Sequence, residues 1–226
     1  MTSVLSQADL ILRAAPRSPG AKWSVRGLAG LAAIVLLFGM SYGAVMGAFG
    51  SFSQGRALQI AYSAIKVPVL LLATFLISLP SFFVLNTLLG VRDDFNRATA
   101  ALISTQAGLT IVLASLAPLT ALWYASFTDY QTAVAFNGGV FAVASFGAQI
   151  ILRRLYRPLI ARNRRHRLLL RTWIVIYTFV AIQMAWVLRP FVGDPTEPTR
   201  FFRTEAWGNA WEVIARLIWH LVTRQS

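Results

Sequence analysis

Cysteine is absent from these 226 residues. That excludes disulfides, thiolate metal sites, iron–sulfur clusters and lipid attachment through cysteine. Histidine is scarce, with only His166 and His220. One lies in a basic stretch and the other near the carboxyl end, so no pair faces across a helix bundle to ligate a haem. There is no HExxH for a zinc peptidase, and a rhomboid-like site has no membrane histidine. Aspartate and glutamate together number eight, and none falls inside a long apolar run. Pumps and proton-coupled transporters place carboxylates there, which argues against ion-coupled transport. Serines and threonines without a base make no nucleophile. The chain therefore reads as non-enzymatic, with no catalytic residue, cofactor or metal expected. Its one acidic pair, in Arg92-Asp-Asp-Phe-Asn-Arg97, is similar to half of an aspartate-rich magnesium site for prenyl diphosphates, but the second acidic cluster such chemistry needs is missing. Asp93 and Asp94 read instead as caps of a helix starting near Phe95.

What the sequence does have is apolar length. Hydrophobic residues make up 57% of it, and the mean hydropathy is +0.61. This predicts an all-α, polytopic transmembrane helix bundle of about five spans, with interfacial helices at both termini. The expected spans are Gly27–Phe49, Val67–Leu89, Ala100–Tyr124, Tyr130–Leu152 and Leu168–Leu188. The first, about 23 residues at ~1.5 Å each, crosses a ~30 Å core and is too long for a signal-peptide h-region, so it is expected to remain as an anchor. Pro80 should kink the second span, with Thr74, Ser78 and Ser81 on one face to satisfy the freed carbonyls. Spans three and four form a tight hairpin around Asp129.

Residues 1–26 comprise an amphipathic helix carrying Val4, Leu5, Ala8, Ile11, Leu12 and Ala15, followed by a basic linker. Residues 27–190 hold the bundle. Residues 191–226 read as an external loop and a helix with Trp207, Trp211, Ile214 and Ile218 on one side and Glu212, Arg216 and His220 on another. Burying those three polar groups disfavours a sixth crossing and favours a helix resting on the outer face.

The net charge is +13, and the cations gather at span ends. With the amino terminus inside, Arg13, Arg17, Lys22, Arg26, Arg92, Arg97 and eight arginines of the 153–171 loop face the cytoplasm, against Arg56, Lys66, Arg189, Arg200 and Arg203 outside. Fourteen against five sets the orientation. Cations that flank spans suit anionic lipid head groups, so no nucleic acid is expected. The loop arginines, Arg153, Arg154, Arg157, Arg162, Arg164, Arg165, Arg167 and Arg171, are candidates for contact with lipid or a protein partner, or serve only as a topology signal. Lys66 and Arg189 are expected to snorkel to head groups.

Small residues suggest where helices meet. Gly39, Gly43 and Gly47 make a doubled GxxxG, suited either to a homodimer or to another helix of the same bundle. Gly138, Ala142, Ser145 and Gln149, beside Asn137, form a second stripe, expected to face Thr105, Gly108 and Ser115 of the third span. Asn86, Gln106, Asn137, Gln149 and Gln183 either line a solute path or bond between helices.

The stretch Pro80-Ser-Phe-Phe-Val-Leu-Asn-Thr-Leu-Leu-Gly90, followed by Asp94-Phe-Asn-Arg and the Pro118-bearing third span, resembles the Yip-domain family. The resemblance implies a non-enzymatic five-span protein with a cytoplasmic amino terminus, expected in a bacterial inner membrane, that organises membranes or recruits partners. Two functional expectations follow. The first is an adaptor or accessory subunit binding through the arginine loop. The second is a permease or channel component for a neutral or anionic small solute.

Overall fold

The computed structural model describes residues 9, 11, 25–50, 57–194, 198–202 and 211. They are helical, with no strand among them. The helices are α1 (Val25–Gly47), α2 (Ala57–Leu88), α3 (Phe95–Ser115), α4 (Ala117–Ser126), α5 (Tyr130–Arg162) and α6 (Arg165–Val187), with a 3-10 turn at Arg92–Asp94. With α3 and α4 counted as one crossing, five are long and apolar enough to span a membrane.

Local chemistry sets the breaks. The helix breaks at Leu116 between α3 and α4, and Pro118, which has no N–H to donate, sits in the first turn of α4. Asp129 caps α5 by accepting the Thr132 N–H at 2.7 Å. Through Pro68 and Pro80, however, α2 is continuous over 32 residues. Ser78 Oγ donates to Thr74 O, 2.8 Å, rather than to the carbonyl opposite Pro80.

Packing order differs from chain order. The helices form a curled row, α6 on α2, α2 on α1, α1 on α3 and α3 on α5. At the pole where α5 ends and α6 begins the row closes, and Phe82, Tyr156, Leu159, Leu169 and Trp173 share one buried cluster. At the opposite pole α5 and α6 stand apart.

The glycine groove of α1 is filled by α2 of the same chain. A Cβ on Gly43 would run into Ser63 O, one on Gly47 would lie 2.8 Å from Gln59 O, and Gly39 faces the Pro68 ring. This face therefore has no room for a second copy of the chain. The stripe expected on α5 is displaced. Ala133, Asn137, Val140, Ala144, Ala148 and Ile151 are buried, whereas Gly138, Ala142 and Ser145 are exposed and Gln149 is half-buried. Gly108 of α3 meets Ile151, not Gly138, and Ser115 is exposed. Both stripes of α5 mix small or apolar residues with polar ones, Asn137 in the buried stripe and Ser145 and Gln149 in the other, and lipid is as apolar as a protein interior, so polarity does not distinguish them.

The amino-terminal surface helix lies outside the described residues except at Asp9 and Ile11. Ile11 is buried with Leu31, Ile34, Ala107 and Ile111, beside the middle of α3. The carboxyl-terminal helix, with Glu212, Arg216 and His220, also lies outside them. Its one described residue, Trp211, stacks on Phe179 in the carboxyl-terminal half of α6 at 4.4 Å.

Candidate functional sites at the two poles

The arginine segment is helical, not a loop. α5 runs 33 residues, about 50 Å, and so outreaches a ~30 Å hydrocarbon core by several turns. Arg153, Arg154, Arg157 and Arg162 ride on that extension. Arginine is a good helix former, so a charged continuation stays helical. The chain turns at Asn163 and Arg164, where Asn163 Oδ1 accepts the Arg165 N–H at 3.0 Å, and α6 then carries Arg165, Arg167 and Arg171. All eight arginines are exposed.

One carboxylate ties the hairpin to the bundle. Asp94 has a side chain 10% exposed and does not cap α3 through it, contrary to the expectation above. Its Oδ1 accepts from Arg162 Nη1 at 3.1 Å and lies 3.5 Å from Arg97 Nη1, while Oδ2 lies 3.3 Å from His166 Nε2. His166 is fully buried, with the Tyr156 ring edge-on at 5.9 Å. Arg165 Nη1 donates to Leu89 O at 3.0 Å. Asp93 is exposed. A carboxylate this buried is stable only with charged or hydrogen-bonding partners, and the α5–α6 turn supplies two of its three.

At the other pole the segment after α6 folds inward. Residues 191–194 were expected to start an external loop, yet Val192 and Gly193 are buried. Three successive carbonyls are held by side chains. Pro190 O accepts from Lys66 Nζ at 2.6 Å, Phe191 O from Ser63 Oγ and from Gln59 Nε2, and Val192 O from Tyr130 Oη at 3.4 Å. Gly193 lies so close to Gln59 that a Cβ would sit 2.7 Å from its Cγ.

Lys66 does not snorkel. It lies about nine residues into α2, fully buried, with its Nζ 4.9 Å from the Phe201 ring centre and no carboxylate partner among the described residues. Arg189 is exposed and stacks over Trp186 at 4.7 Å.

Three of the five amides bond within the bundle. Asn86 donates to its own helix at Phe82 O, and Gln106 accepts from Tyr177 Oη at 3.1 Å. Asn137 accepts from Tyr42 Oη at 2.9 Å and donates to Tyr124 Oη and Ala133 O. Asn137 also borders a cavity of about 600 Å³ between the amino-terminal part of α5 and the carboxyl-terminal end of α6, closed on one side by the 190–194 segment. Gln59 and Ser63, which organise this pole with Lys66, escaped the sequence reading, and Lys66 was expected to snorkel instead. The available signal was their spacing of three and four residues, on one helical face of an otherwise apolar run.

No family model matches this chain, and no curated protein or solved structure matches it either.

Proposed function

We propose that this is a non-catalytic, multi-pass membrane protein whose arginine pole faces the cytoplasm and docks on anionic lipid head groups, the role of an adaptor or accessory subunit. The observation that carries the reading is the exposure of all eight hairpin arginines on two helix ends that the Asp94 cluster fixes in place. Arg92 and Arg97 lie at the same pole, and the acids near them among the described residues are Asp93 and the already engaged Asp94. A rigid array of cations at the membrane surface gains roughly 1 kcal/mol per arginine from an anionic leaflet. The same array supports the inward orientation, since positively charged segments are retained in the cytoplasm. The Yip-domain resemblance would place such a protein among membrane organisers.

The test is lipid retention. Wild-type protein in phosphatidylcholine nanodiscs doped with phosphatidylglycerol is expected to co-purify with the anionic lipid. A variant with Arg153, Arg154, Arg157, Arg164 and Arg167 all changed to Gln is expected to lose it. Arg162 and Arg165 are kept because they anchor the turn. Equal retention by both proteins would leave these arginines as a topology signal alone.

The cavity at the opposite pole supports a second reading, a permease or channel component for a neutral or anionic small solute. Solute flux into liposomes that is abolished by Asn137→Leu would favour it. Flux that survives the change would exclude Asn137 from the path.

A further inference from the structure

We infer that the face of α5 turned away from α3 is a site for one whole anionic glycerophospholipid, its phosphate held by Arg153, Arg154 and Arg157 and its acyl chains lying along Val143, Phe146 and Ile150. The inference rests on the lipid-docking reading above and narrows it from a charged pole to one helix face. At about 100° per residue, these six positions fall within roughly 100° of the helix circumference. Val143, Phe146 and Ile150 are 59%, 70% and 40% exposed, and the three arginines are exposed as well.

The face has the dimensions of one leaflet. Val143 lies about 15 Å along the helix axis from Arg153, half of a ~30 Å hydrocarbon core. Arg157 stands about 6 Å further on, within the ~5–8 Å that the head-group layer adds on each side. An acyl chain packed along Val143, Phe146 and Ile150 therefore brings its phosphate level with the three guanidinium groups. Their planar forks match phosphate oxygens and can bind them in pairs.

Two contrasts single out this face. Arg162 and Arg165, at the tip of the hairpin, are tied to Asp94 and to Leu89 O, whereas the guanidinium groups of Arg153, Arg154 and Arg157 make no ion pair or hydrogen bond among the described residues. On α6 the order is mixed, because the exposed Leu168 sits between Arg167 and Arg171, and Phe179, further along the same helix, is stacked on Trp211. α5 instead separates its exposed apolar residues from its cations along the axis, as a phospholipid separates chain from head.

The experiment photolabels the full chain in phosphatidylcholine nanodiscs doped with phosphatidylglycerol, with a diazirine in the acyl chain of one lipid or the other, followed by peptide mapping. The phosphatidylglycerol probe is expected to label Phe146 and Ile150 about tenfold more than the phosphatidylcholine probe, with no such excess at Ile77 and Val84, which are exposed on α2. Arg153→Gln combined with Arg157→Gln should bring the ratio at Ile150 close to one, while labelling by phosphatidylcholine stays as in the wild type and reports an intact fold. An excess that survives the double change, or that appears equally at Ile77 and Val84, overturns the α5 site and leaves the docking reading standing. Displacement of the probe by soluble glycerol 3-phosphate overturns it too, because the phosphate would then be recognised without its chains. No excess of phosphatidylglycerol at any position sinks the docking reading and this site with it.

Discussion

At the arginine pole, charge points outward: eight exposed guanidinium groups stand on two helix ends, and among the described residues only Asp94, drawn inward, pairs with any of them. At the opposite pole, polarity points inward: Lys66, Ser63 and Gln59 are buried and spend their donors on backbone carbonyls of the 190–192 segment. The same residue classes therefore serve a surface at one end and an interior at the other. The difference comes from helix length. α5, at 33 residues, is longer than a ~30 Å hydrocarbon core requires and carries four of its arginines on the surplus, whereas α2 starts at Ala57, so Lys66 lies inside it.

The largest effect that would break this comparison is electrostatic. Changing Arg153, Arg154, Arg157, Arg164 and Arg167 together to Gln removes up to ~1 kcal/mol each near an anionic leaflet, which compounds to a loss of up to about four-thousandfold in anionic-lipid affinity. High salt should mimic part of the loss, because exposed charges are screened. Lys66→Met should leave the same affinity untouched, and a matching loss there would mean the two poles are not separate.

Next in size is the link between the hairpin and the bundle. Asp94→Ala leaves His166 buried without its carboxylate and frees Arg162 and Arg97. Breaking a buried pair costs about 3–5 kcal/mol. Arg97 and Arg162 are more than half exposed, so solvent screens their share, and about 2 kcal/mol is expected. Thermal unfolding in detergent would measure it. A null change would mean that the α5–α6 turn holds its shape without Asp94.

Smaller again is a contrast between two glycines. Gly47→Leu forces α1 away from Gln59 and Ser63, an overpacking that costs about 1–3 kcal/mol, whereas Gly138→Leu enters open space and should leave stability unchanged. Equal destabilisation by both would place α5 against another helix on its Gly138 side.

These glycines also show how much was legible. The five spans, the α4–α5 hairpin at Asp129 and the basic pole follow from apolar length and cation position, signals that water and lipid impose directly. Which face of α5 turns inward does not, because Ala144 and Gly138 look alike to lipid and only shape complementarity separates them. Asp94 read as a helix cap because its helix neighbours were visible in sequence and His166, 72 positions away, was not. Gln59 and Lys66 were hidden for a related reason: a polar side chain near a span boundary looks like an interface residue until the segment that buries it is known.

The smallest expected effect tests that last point. Lys66 has a backbone carbonyl and an aromatic face as neighbours but no carboxylate among the described residues, so its burial sets the desolvation of an ammonium against a hydrogen bond and a cation–π contact. Lys66→Met keeps the stem volume and removes the charged head. An apolar residue of similar size in place of a buried ion is often neutral or stabilising, so a change within ~1 kcal/mol, of either sign, is expected in thermal unfolding. Pro190 O would then lose its donor, and the 190–194 segment should open more readily, read as faster amide exchange at Val192 and Gly193. Unchanged exchange would show that Ser63 and Gln59 hold the segment without Lys66. Marked destabilisation would show instead that the ammonium holds this pole together as Asp94 holds the other.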